Sequence, residues 1–551
     1  MHNVVIEISY GKVKIKHLEA IVNFVKFDDF QIISNDYEVF FQGVLTNKSE
    51  LINKYNFIDF NKDLAHRLYE DINFVGEFRG SFYGYCIDKI DNSMKIFNDH
   101  LGTKSVYYQI FADSVLVSTY FNTFFTEQAE VSIEGAKMLL SYGYMLDDNT
   151  ILENVKKIAP GSIMQVDSSN SVKINSYFKL SPSKLSISDI KEDEIINKLD
   201  KLFRQAVKRQ FDKDIEQGKK HLVALSGGLD SRMTSWVAHD LGYIDQLNFT
   251  FSQSDYLDET IPKKIAEDLK HEWIFKSLDN GVFLKDIDDI TKISGGNVLY
   301  YGLAHGNSLM KRLNFQGVGL IHSGQLGDVV IGSFISNFDK KNLNELGGAY
   351  SKLGMKMTRI NKVFENFEEK EVEMFYQRAI NGANSGLLAS NYYGETFSPF
   401  YDLDFFNFCL SIPIEFRIGH KLYKKWVLKK YPEAANYVWE KTGRKLNQRS
   451  YNVHVKGKSI PIRKLLDLVL NKLGPKNPKF FTKRNMNPLN YWYHTNEDIK
   501  VFQDNYFQEN IIKVKNEELL SICRALYING GAVEKNQVLT LLSLFKLHTV
   551  R

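Results

Sequence analysis

The chain has 551 residues, of which 44% are hydrophobic and 25% charged, and its formal net charge is +4. A chain of this length predicts two or three domains, and the composition is typical of a globular protein. The near-neutral charge gives no reason to expect nucleic acid or a membrane surface as a partner.

The three cysteines, Cys86, Cys409 and Cys523, are far apart and form no CxxC pair. This pattern argues against disulfides, zinc and iron–sulfur clusters and favours a reducing compartment. The first residues lack the apolar core of a signal peptide, and no apolar run approaches the ~20 residues that span a bilayer. We expect a cytoplasmic enzyme, with a homodimer as one possible assembly.

The first third of the chain is rich in strand signals. Short β-branched or aromatic runs, broken by Gly, Asn and Asp, occur at residues 4–8, 38–41, 81–85 and 114–117. Helical patterns lie near residues 49–71 and 134–142. Together they predict an α+β domain on antiparallel sheets over residues 1–180. The polar segment 181–194 is the predicted linker.

From residue 195 onward, strands and helices alternate. A helix at 195–211 precedes predicted strands at 221–225, 247–251 and 273–278, with a helix at 258–270. This alternation predicts a parallel sheet with helices on both faces, whose ligands bind at the carboxyl ends of the strands. Beyond residue 340 the pattern is mainly helical. The Lys- and Arg-rich segment 456–484 is interpreted as a solvated basic face.

The most informative motif follows the strand at 221–225. Ser226-Gly227-Gly228 makes a tight turn, and Asp230 and Ser231 open a helix. Unpaired backbone N–H groups and the positive end of a helix dipole suit phosphate, and glycines let a ligand approach closely. Asp230 could hold a magnesium ion. The alternative is an ordinary turn with an Asp/Ser helix cap.

Five further motifs follow in order along the chain. They are Phe41–Leu51, Gly80–Tyr85 with Asn98–Tyr108, Ser323–Gly332 (SGQLGDVVIG), Ser398–Asp402 (SPFYD), and Lys425–Leu428 with Trp439–Thr442. With SGGLDS, they resemble the asparagine synthetase family, a branch of the PP-loop ATP pyrophosphatases. The resemblance covers nearly the full length. It implies an Ntn-hydrolase-like antiparallel sandwich of the glutamine amidotransferase type 2 kind at 1–180. An α/β PP-loop synthetase domain with a helical C-terminal part would follow at 195–551.

The resemblance also implies a chemistry. In this family ATP and Mg²⁺ convert a carboxylate into an acyl-adenylate with release of pyrophosphate, and a nitrogen nucleophile then displaces AMP. Asp230 and Asp328 would share the metal ion. Ser323 and Gly324 would lie near the nucleotide, with Leu225 and Phe251 around the adenosine. Lys441 would stabilise the adenylate electrostatically, with Lys445 as the rival match.

The N-terminal half departs from the family's glutaminase pattern. Glutamine-dependent members begin Met-Cys, and the freed cysteine attacks glutamine; here the second residue is His2. Cys86 lies in a predicted strand without a free amine, and Val44 replaces the acid that holds glutamine. Asp99 and Asn47 are retained, and either can be structural. We expect a domain that keeps its fold without amidase chemistry.

The synthetase motif departs as well. Gln325 occupies a position that is acidic in asparagine synthetases and tyrosine in β-lactam synthetases, and Val329 replaces an acid. Free aspartate and β-lactam closure are therefore disfavoured, because a glutamine can orient a substrate but cannot accept a proton. The substrates left open are a small-molecule or peptide carboxylate with an amine or ammonia. They include a lasso-type peptide macrolactam, which the tail Trp439–Arg444 also resembles, a uronic acid, and ammonia-dependent asparagine formation.

Two other classes of protein compete with an amide ligase. A non-catalytic ATP-binding homologue would explain the changes at Gln325 and Val329. A tRNA-modifying PP-loop enzyme would share SGGLDS, but the near-neutral charge and the missing CxxC pair argue against it.

Overall fold

A computed structural model describes residues 3–18, 25–181, 185, 191–332, 334, 349–360, 369–448, 452–455, 458–474 and 477–548. His2, most of the predicted linker and parts of the segments 335–397 and 456–484 lie outside these residues. Within the part that is described, no helix is long and apolar enough to cross a membrane.

The described residues of the N-terminal part form two antiparallel sheets and three α-helices. The strands are β1 (Asn3–Ser9), β2 (Lys12–Leu18), β3 (Phe30–Ile33), β4 (Tyr37–Leu45), β5 (Gly80–Asp88), β6 (Ser93–Asn98), β7 (Tyr107–Ile110), β8 (Val115–Ser118), β9 (Val155–Lys157), β10 (Ser162–Val166) and β11 (Val172–Ser176). The helices are α1 (Lys48–Tyr55), α2 (Phe60–Glu70) and α3 (Ile133–Ser141). One sheet has the order β2-β1-β8-β7-β9 and the other β11-β10-β6-β5-β4-β3.

The two sheets pack face to face. Along β1, Val4, Ile6 and Ile8 alternate with more exposed residues and are buried, as expected for a strand with one face on the core. They join Tyr85 and Ile96 of the second sheet in one apolar cluster. The opposite face of that second sheet is covered by α1 and α2. The expected antiparallel sandwich is confirmed.

The helical interval predicted at 49–71 is divided into two helices. Helix α1 ends at Asn56, whose φ of +54° is left-handed, and α2 then starts beyond Asp59. Asparagine adopts this conformation more readily than most residues, because its short polar side chain bonds locally. The hydrophobic periodicity runs through both helices, so it does not reveal the break between them.

The C-terminal part is built on a parallel sheet. Its elements begin with α4 (Glu192–Glu216), β12 (Lys220–Ala224), α5 (Leu229–Asp240), β13 (Gln246–Ser252), α6 (Leu257–Leu269), β14 (Glu272–Ser277), α7 (Ile287–Ser294), α8 (Tyr301–Met310), β15 (Val318–His322), α9 (Lys352–Thr358), α10 (Lys370–Met374), α11 (Leu388–Asn391) and β16 (Thr396–Phe397). The strand order is β14-β13-β12-β15-β16, and all neighbours are parallel. The expected α/β architecture is confirmed.

The remaining elements are mainly helical, as predicted. They are α12 (Leu403–Ser411), α13 (Ile414–Arg417), α14 (Lys421–Lys430), α15 (Pro432–Ala435), a hairpin of β17 (Asn452–Val455) and β18 (Lys458–Pro461), α16 (Ile462–Leu473), α17 (Leu489–Thr495), α18 (Glu497–Ile511), α19 (Glu517–Asn529) and α20 (Ala532–Leu547). Helices α3, α7, α8 and α17–α20 share one large apolar core. This core joins the N-terminal part to the C-terminal helices.

Buried ion pairs also connect the two parts. Lys104 donates to both carboxylate oxygens of Glu395 at 2.7 Å, and the two side chains are 3% and 6% exposed. Lys213 and Asp28 form a second such pair at 3.1 Å. Removing one partner of a buried pair leaves an unpaired charge in the interior, which is strongly unfavourable.

Replacing Lys104 by Met should therefore destabilise the protein. We expect the free energy of unfolding to fall by about 3–5 kcal/mol, because the Glu395 carboxylate stays buried without its partner. The double variant K104M/E395M should recover most of this loss, and denaturant titration followed by tryptophan fluorescence measures both. Lys264→Met, which removes a surface ion pair with Asp268, is the matched control with little expected change. Equal losses in the single and double variants would contradict the prediction.

Candidate active site

The SGGLDS segment forms a tight turn between β12 and α5. The backbone N–H of Ser226 donates to Ser231 Oγ at 2.9 Å, and the two hydroxyl oxygens are also 2.9 Å apart. The N–H of Gly228 donates to Ser226 Oγ at 3.2 Å. The two serines therefore shape the turn, and its amide groups gather at the N-terminus of α5, where an anion is stabilised.

A carboxylate already contacts this turn. Asp258, at the start of α6, accepts a hydrogen bond from the N–H of Gly227 at 2.8 Å. Gly227 has little free space, because a Cβ there would lie 2.9 Å from Glu440 Cβ and 2.9 Å from the carbonyl oxygen of Leu257. Sequence reasoning missed Asp258, since nothing local marks a residue 31 positions from Gly227 as its partner.

A buried arginine fixes the turn to the tail of the synthetase domain. Arg232 is fully buried and donates to four backbone carbonyl oxygens, those of Gly227, Ala434, Tyr437 and Val438. A guanidinium has five N–H donors in a fixed geometry, so one side chain can hold two separate segments. The tail 434–438 is thereby attached directly to the glycine turn.

The second loop, Ser323–Asp328, packs against the first helical turn of α5. A Cβ on Gly324 would lie 2.2 Å from the backbone nitrogen of Ser231, so only glycine allows this approach. Leu326 has a φ of +68°, a left-handed conformation that is costly for a residue with a Cβ. The loop then enters a π-helical turn at Asp328–Gly332, a geometry often found at functional sites.

This packing brings together Asp230 and Asp328, 98 residues apart. The backbone N–H of Asp328 donates to Asp230 Oδ2 at 3.0 Å, and the Tyr423 hydroxyl donates to Asp230 Oδ1 at 2.8 Å. Burial, together with the neighbouring Asp328 carboxylate, raises the pKa of Asp230 to about 8. Two adjacent carboxylates, one of them unfavourable as an anion, form a donor set suited to a divalent cation such as Mg²⁺.

Lys441 lies at the exposed side of this pair. Its Nζ is 3.4 Å from Asp328 Oδ2 and 2.8 Å from His420 Nε2. Burial and the nearby Lys441 ammonium lower the pKa of His420 to about 4, so the neutral imidazole accepts this hydrogen bond. Lys445 does not line the cavity described next. The geometry therefore favours Lys441 over Lys445 as the lysine beside the aspartates.

Two cavities meet at this site. The phosphate-side cavity, about 430 Å³, is lined by Asp230, Gly324, Gln325, Asp328, Arg378, His420 and Lys441, among others. The strand-end chamber, about 470 Å³, lies at the carboxyl ends of the strands and is lined by Ala224, Phe251, Ser323 and Gln325, among others. Both volumes lie in the range of small-molecule sites, and the position is the one expected for ligands of a parallel sheet.

Several predicted nucleotide-binding residues do not line these cavities. Ser226, Gly227, Gly228 and Ser231 line neither of them. Leu225 lines neither cavity, because side chains alternate along the strand end: Ala224 faces the chamber, and Leu225 enters the core beside α5. Gln325 lines both cavities, and its Nε2 donates to the carbonyl oxygen of Ala383 at 2.6 Å. Its amide is therefore held in a fixed orientation.

A buried cluster of Asp214, His221 and His322 contains groups that can bind a metal ion, but its geometry differs from that of a metal site. Asp214 Oδ2 is 2.6 Å from His221 Nδ1 and 2.7 Å from His322 Nε2. These are hydrogen-bond distances, shorter than the separations of about 3.3 Å between ligands of one ion bound at about 2.0–2.2 Å. We interpret the cluster as a hydrogen-bonded support for β15.

Comparison with known proteins finds two domain models on this chain. A glutamine amidotransferase domain matches residues 65–178, and an asparagine synthase domain matches residues 198–384. Residues 198–384 of the chain are therefore similar to the asparagine synthase family. That family uses ATP.

Two curated relatives are similar over part of the chain. Amidase chyE of Penicillium rubens is 26% identical over 173 residues, which is 31% of this chain and 25% of that protein. Amidase chry2 of Gibberella zeae is 26% identical over 191 residues, 33% of this chain and 27% of that protein. The chain thus matches about a quarter of the length of these relatives.

Among solved structures, the chain is similar to glutamine phosphoribosylpyrophosphate amidotransferase from B. subtilis complexed with ADP and GMP. The identity is 9%, the match covers 50% of this chain and 85% of the other, and the TM-score is 0.24. A second similar structure is that of the allosteric regulatory enzyme of purine biosynthesis. The match covers 50% of this chain and 74% of the other, at 8% identity and a TM-score of 0.22.

In the described part of the amidotransferase-like domain, the residues considered for glutamine chemistry are buried or held in hydrogen bonds. Val44 is fully buried and packs against Leu320 and Phe397 of the synthetase part. Cys86 lies inside β5, and burial raises the pKa of its thiol to about 12, so it is not a thiolate. Asp99 accepts hydrogen bonds from backbone N–H groups of its own turn, including those of Leu101 and Lys104.

The raised pKa of Asp230 predicts a pH effect on stability. A carboxyl whose pKa is higher in the folded than in the unfolded state stabilises the fold below about pH 4, and this contribution is lost as the pH rises to about 8. In a chelating buffer, D230N should therefore become more stable relative to the wild type across that window. Thermal unfolding from pH 4 to pH 9 measures the difference.

Asp328→Asn is the matched control for this experiment. It removes the neighbouring charge but leaves Asp230 buried. The pH dependence of stability that comes from Asp230 should therefore become smaller without disappearing. Parallel unfolding curves for the wild type and D230N at every pH would contradict the shifted pKa.

Proposed function

We propose that this protein is an ATP-dependent amide ligase that activates a carboxylate as an acyl-adenylate and transfers the acyl group to an amine. The observation that carries the proposal is the contact between Asp230 and Asp328, beside a glycine turn suited to phosphate. The match of residues 198–384 to the asparagine synthase family, which uses ATP, supports ATP as the co-substrate. The products would be an amide, AMP and pyrophosphate.

In the first step, an oxygen of the substrate carboxylate attacks the α-phosphorus of ATP, and the bond to pyrophosphate breaks. The amides at the N-terminus of α5 would hold the β- and γ-phosphates. The N–H groups of Ser226 and Gly228 already donate within the turn. Asp230 and Asp328 would hold Mg²⁺, which offsets charge on the departing pyrophosphate. Asp258 would have to leave the N–H of Gly227 if a phosphate oxygen takes its place.

In the second step, the amine attacks the acyl carbon, and the bond to AMP breaks. Lys441 stands on the phosphate side with its ammonium close to Asp328, where it can stabilise negative charge on the adenylate or the tetrahedral intermediate. Gln325, held by Ala383, can orient the acyl group but cannot take the proton that the amine loses.

The nitrogen would come from a free amine or ammonia. His2 stands where glutamine-dependent members have cysteine, and the buried Val44 and Cys86 supply neither an acid nor a thiolate. The two curated relatives are named amidases. This name is compatible with amide chemistry and does not define the substrate of this chain.

Isotope exchange between pyrophosphate and ATP tests the activation step. Asp230→Asn and Asp328→Asn should each reduce acid-dependent exchange by more than about 100-fold, since each loses a metal-holding carboxylate, and even outer partners of such ligands are worth about 10–100-fold. The proposal fails if the products are ADP and phosphate, or if D230N and D328N retain full exchange.

The role of Lys441 is tested separately. Lys441→Ala should reduce amide formation by about 100-fold or more, because it removes a charge that stabilises the transition state. Lys445→Ala, an exposed lysine on the same tail, is the matched control and should retain activity. A larger loss in K445A than in K441A would reverse the assignment.

The nitrogen source is tested by measuring AMP-coupled amide formation with ammonium, hydroxylamine or glutamine. Ammonium or hydroxylamine should support turnover, and glutamine should release no glutamate. Glutamate production that depends on Cys86 would contradict the expected loss of the glutaminase.

A further inference from the structure

The strand-end chamber differs from the phosphate-side cavity in charge. The phosphate-side cavity is lined by the charged side chains Asp230, Asp328, Arg378 and Lys441. Among the described residues that line the strand-end chamber there is no Asp, Glu, Lys or Arg. Its histidine, His305, is neutral at physiological pH, because burial lowers its pKa.

The two cavities share one wall. Tyr144, Gln325, Tyr350, Gly382 and Ala383 line both of them. In the proposed reaction, the substrate carboxylate attacks the α-phosphorus, which lies between the adenosine and the outer phosphates of ATP. The carboxylate must therefore lie where the strand-end chamber meets the phosphate-side cavity, and that place is this wall. The shared wall has two aromatic rings, one immobilised amide and two small residues, and no formal charge.

The N-terminal part supplies one of these aromatic rings. Tyr144 pairs with Val298 in an isolated β-bridge, and the N–H of Leu299 donates to the carbonyl oxygen of Gly143 at 3.2 Å. Its ring packs on Gly382, where an added Cβ would lie 2.9 Å from a ring carbon. The ring is 2% exposed, so its position is set by packing.

A charged substituent on the substrate would have no oppositely charged partner among the described residues that line the chamber. Burying an unpaired ion costs several kcal/mol, whereas an apolar body gains free energy from the aromatic and aliphatic walls. The walls include Val298, Leu299, Tyr301 and Leu303. Free aspartate would place an ammonium and a second carboxylate in these surroundings.

Resting on the proposed function, we propose that the activated acid has an uncharged, mainly apolar body that occupies the strand-end chamber, with Tyr144 of the N-terminal domain as a specificity-determining wall. The adenosine takes the end of the chamber beside Phe251, and the acyl body takes the end beside Leu299 and Tyr144. The amidotransferase-like domain thereby contributes to substrate selection by the synthetase domain.

Two substitutions of Gly302, by Asp and by Asn, differ from each other only in charge. Gly302 lines the chamber near the start of α8, and an added Cβ would meet no atom within 4 Å. It lies one helical turn from Gly306, so the two glycines share the face of α8 that lines the chamber. Gly302→Asp and Gly302→Asn have the same shape, and a polar residue in the first turn of a helix is well tolerated.

The experiment measures ATP–pyrophosphate exchange with octanoate, 4-phenylbutanoate and N-acetylleucine against aspartate, glutamate and glucuronate. We expect a kcat/KM at least about 100-fold higher for an acid of the first group than for aspartate, since a pocket that cannot pair a substrate's polar groups rejects it strongly. G302D should lower that kcat/KM at least about 10-fold relative to G302N, with the KM for ATP within about twofold.

The two proposals fail in different ways. Preference for aspartate, glutamate or glucuronate, or equal activity of G302D and G302N, overturns the inference on the substrate while leaving the adenylating function in place. No exchange with any of the six acids overturns the proposed function and the inference with it.

Discussion

The contact between Asp230 and Asp328 depends on a backbone amide placed between two carboxylates. The N–H of Asp328 donates to Asp230, so the second loop can bring its own negative charge close without direct carboxylate contact. The glycines at 324 and 327 make this possible, because any side chain there would collide with α5 or with Asp230 itself. This close packing explains the geometry of the loop and the raised pKa of Asp230. It also explains why a bound cation would stabilise the two carboxylates.

The loop that delivers Asp328 adopts a costly conformation. Leu326 is left-handed, and the turn after it is π-helical. Such geometry persists only where surrounding contacts determine it, and here Ser398 Oγ donates to the carbonyl oxygen of Gln325 while Ser323 Oγ accepts from its N–H. Local strain is thus offset by hydrogen bonds from the same loop and from the segment before α12.

The sequence predicted what is local or carried by motifs. The strand–turn–helix at Ser226–Ser231 is marked by apolar periodicity and glycines, and the resemblance placed Asp230 and Asp328 in one site, where the structure brings them together. Tyr423, His420 and Asp258 could not be predicted, because each joins the site through a tertiary contact that leaves no mark in the neighbouring sequence. Leu225 shows a further limit: at the end of a strand, one position decides whether a side chain faces the ligand or the core.

The four carbonyls held by Arg232 bear on how the protein is synthesised. Three of them belong to residues 434–438, about two hundred positions later than the arginine, and the fourth belongs to the glycine turn itself. While the nascent chain is still on the ribosome, this guanidinium has only part of its set of acceptors, and the turn lacks its covering segment. The proposed nucleotide site therefore reaches its final form late in translation. An incompletely synthesised C-terminal domain lacks the finished pocket that the proposed ATP reaction requires.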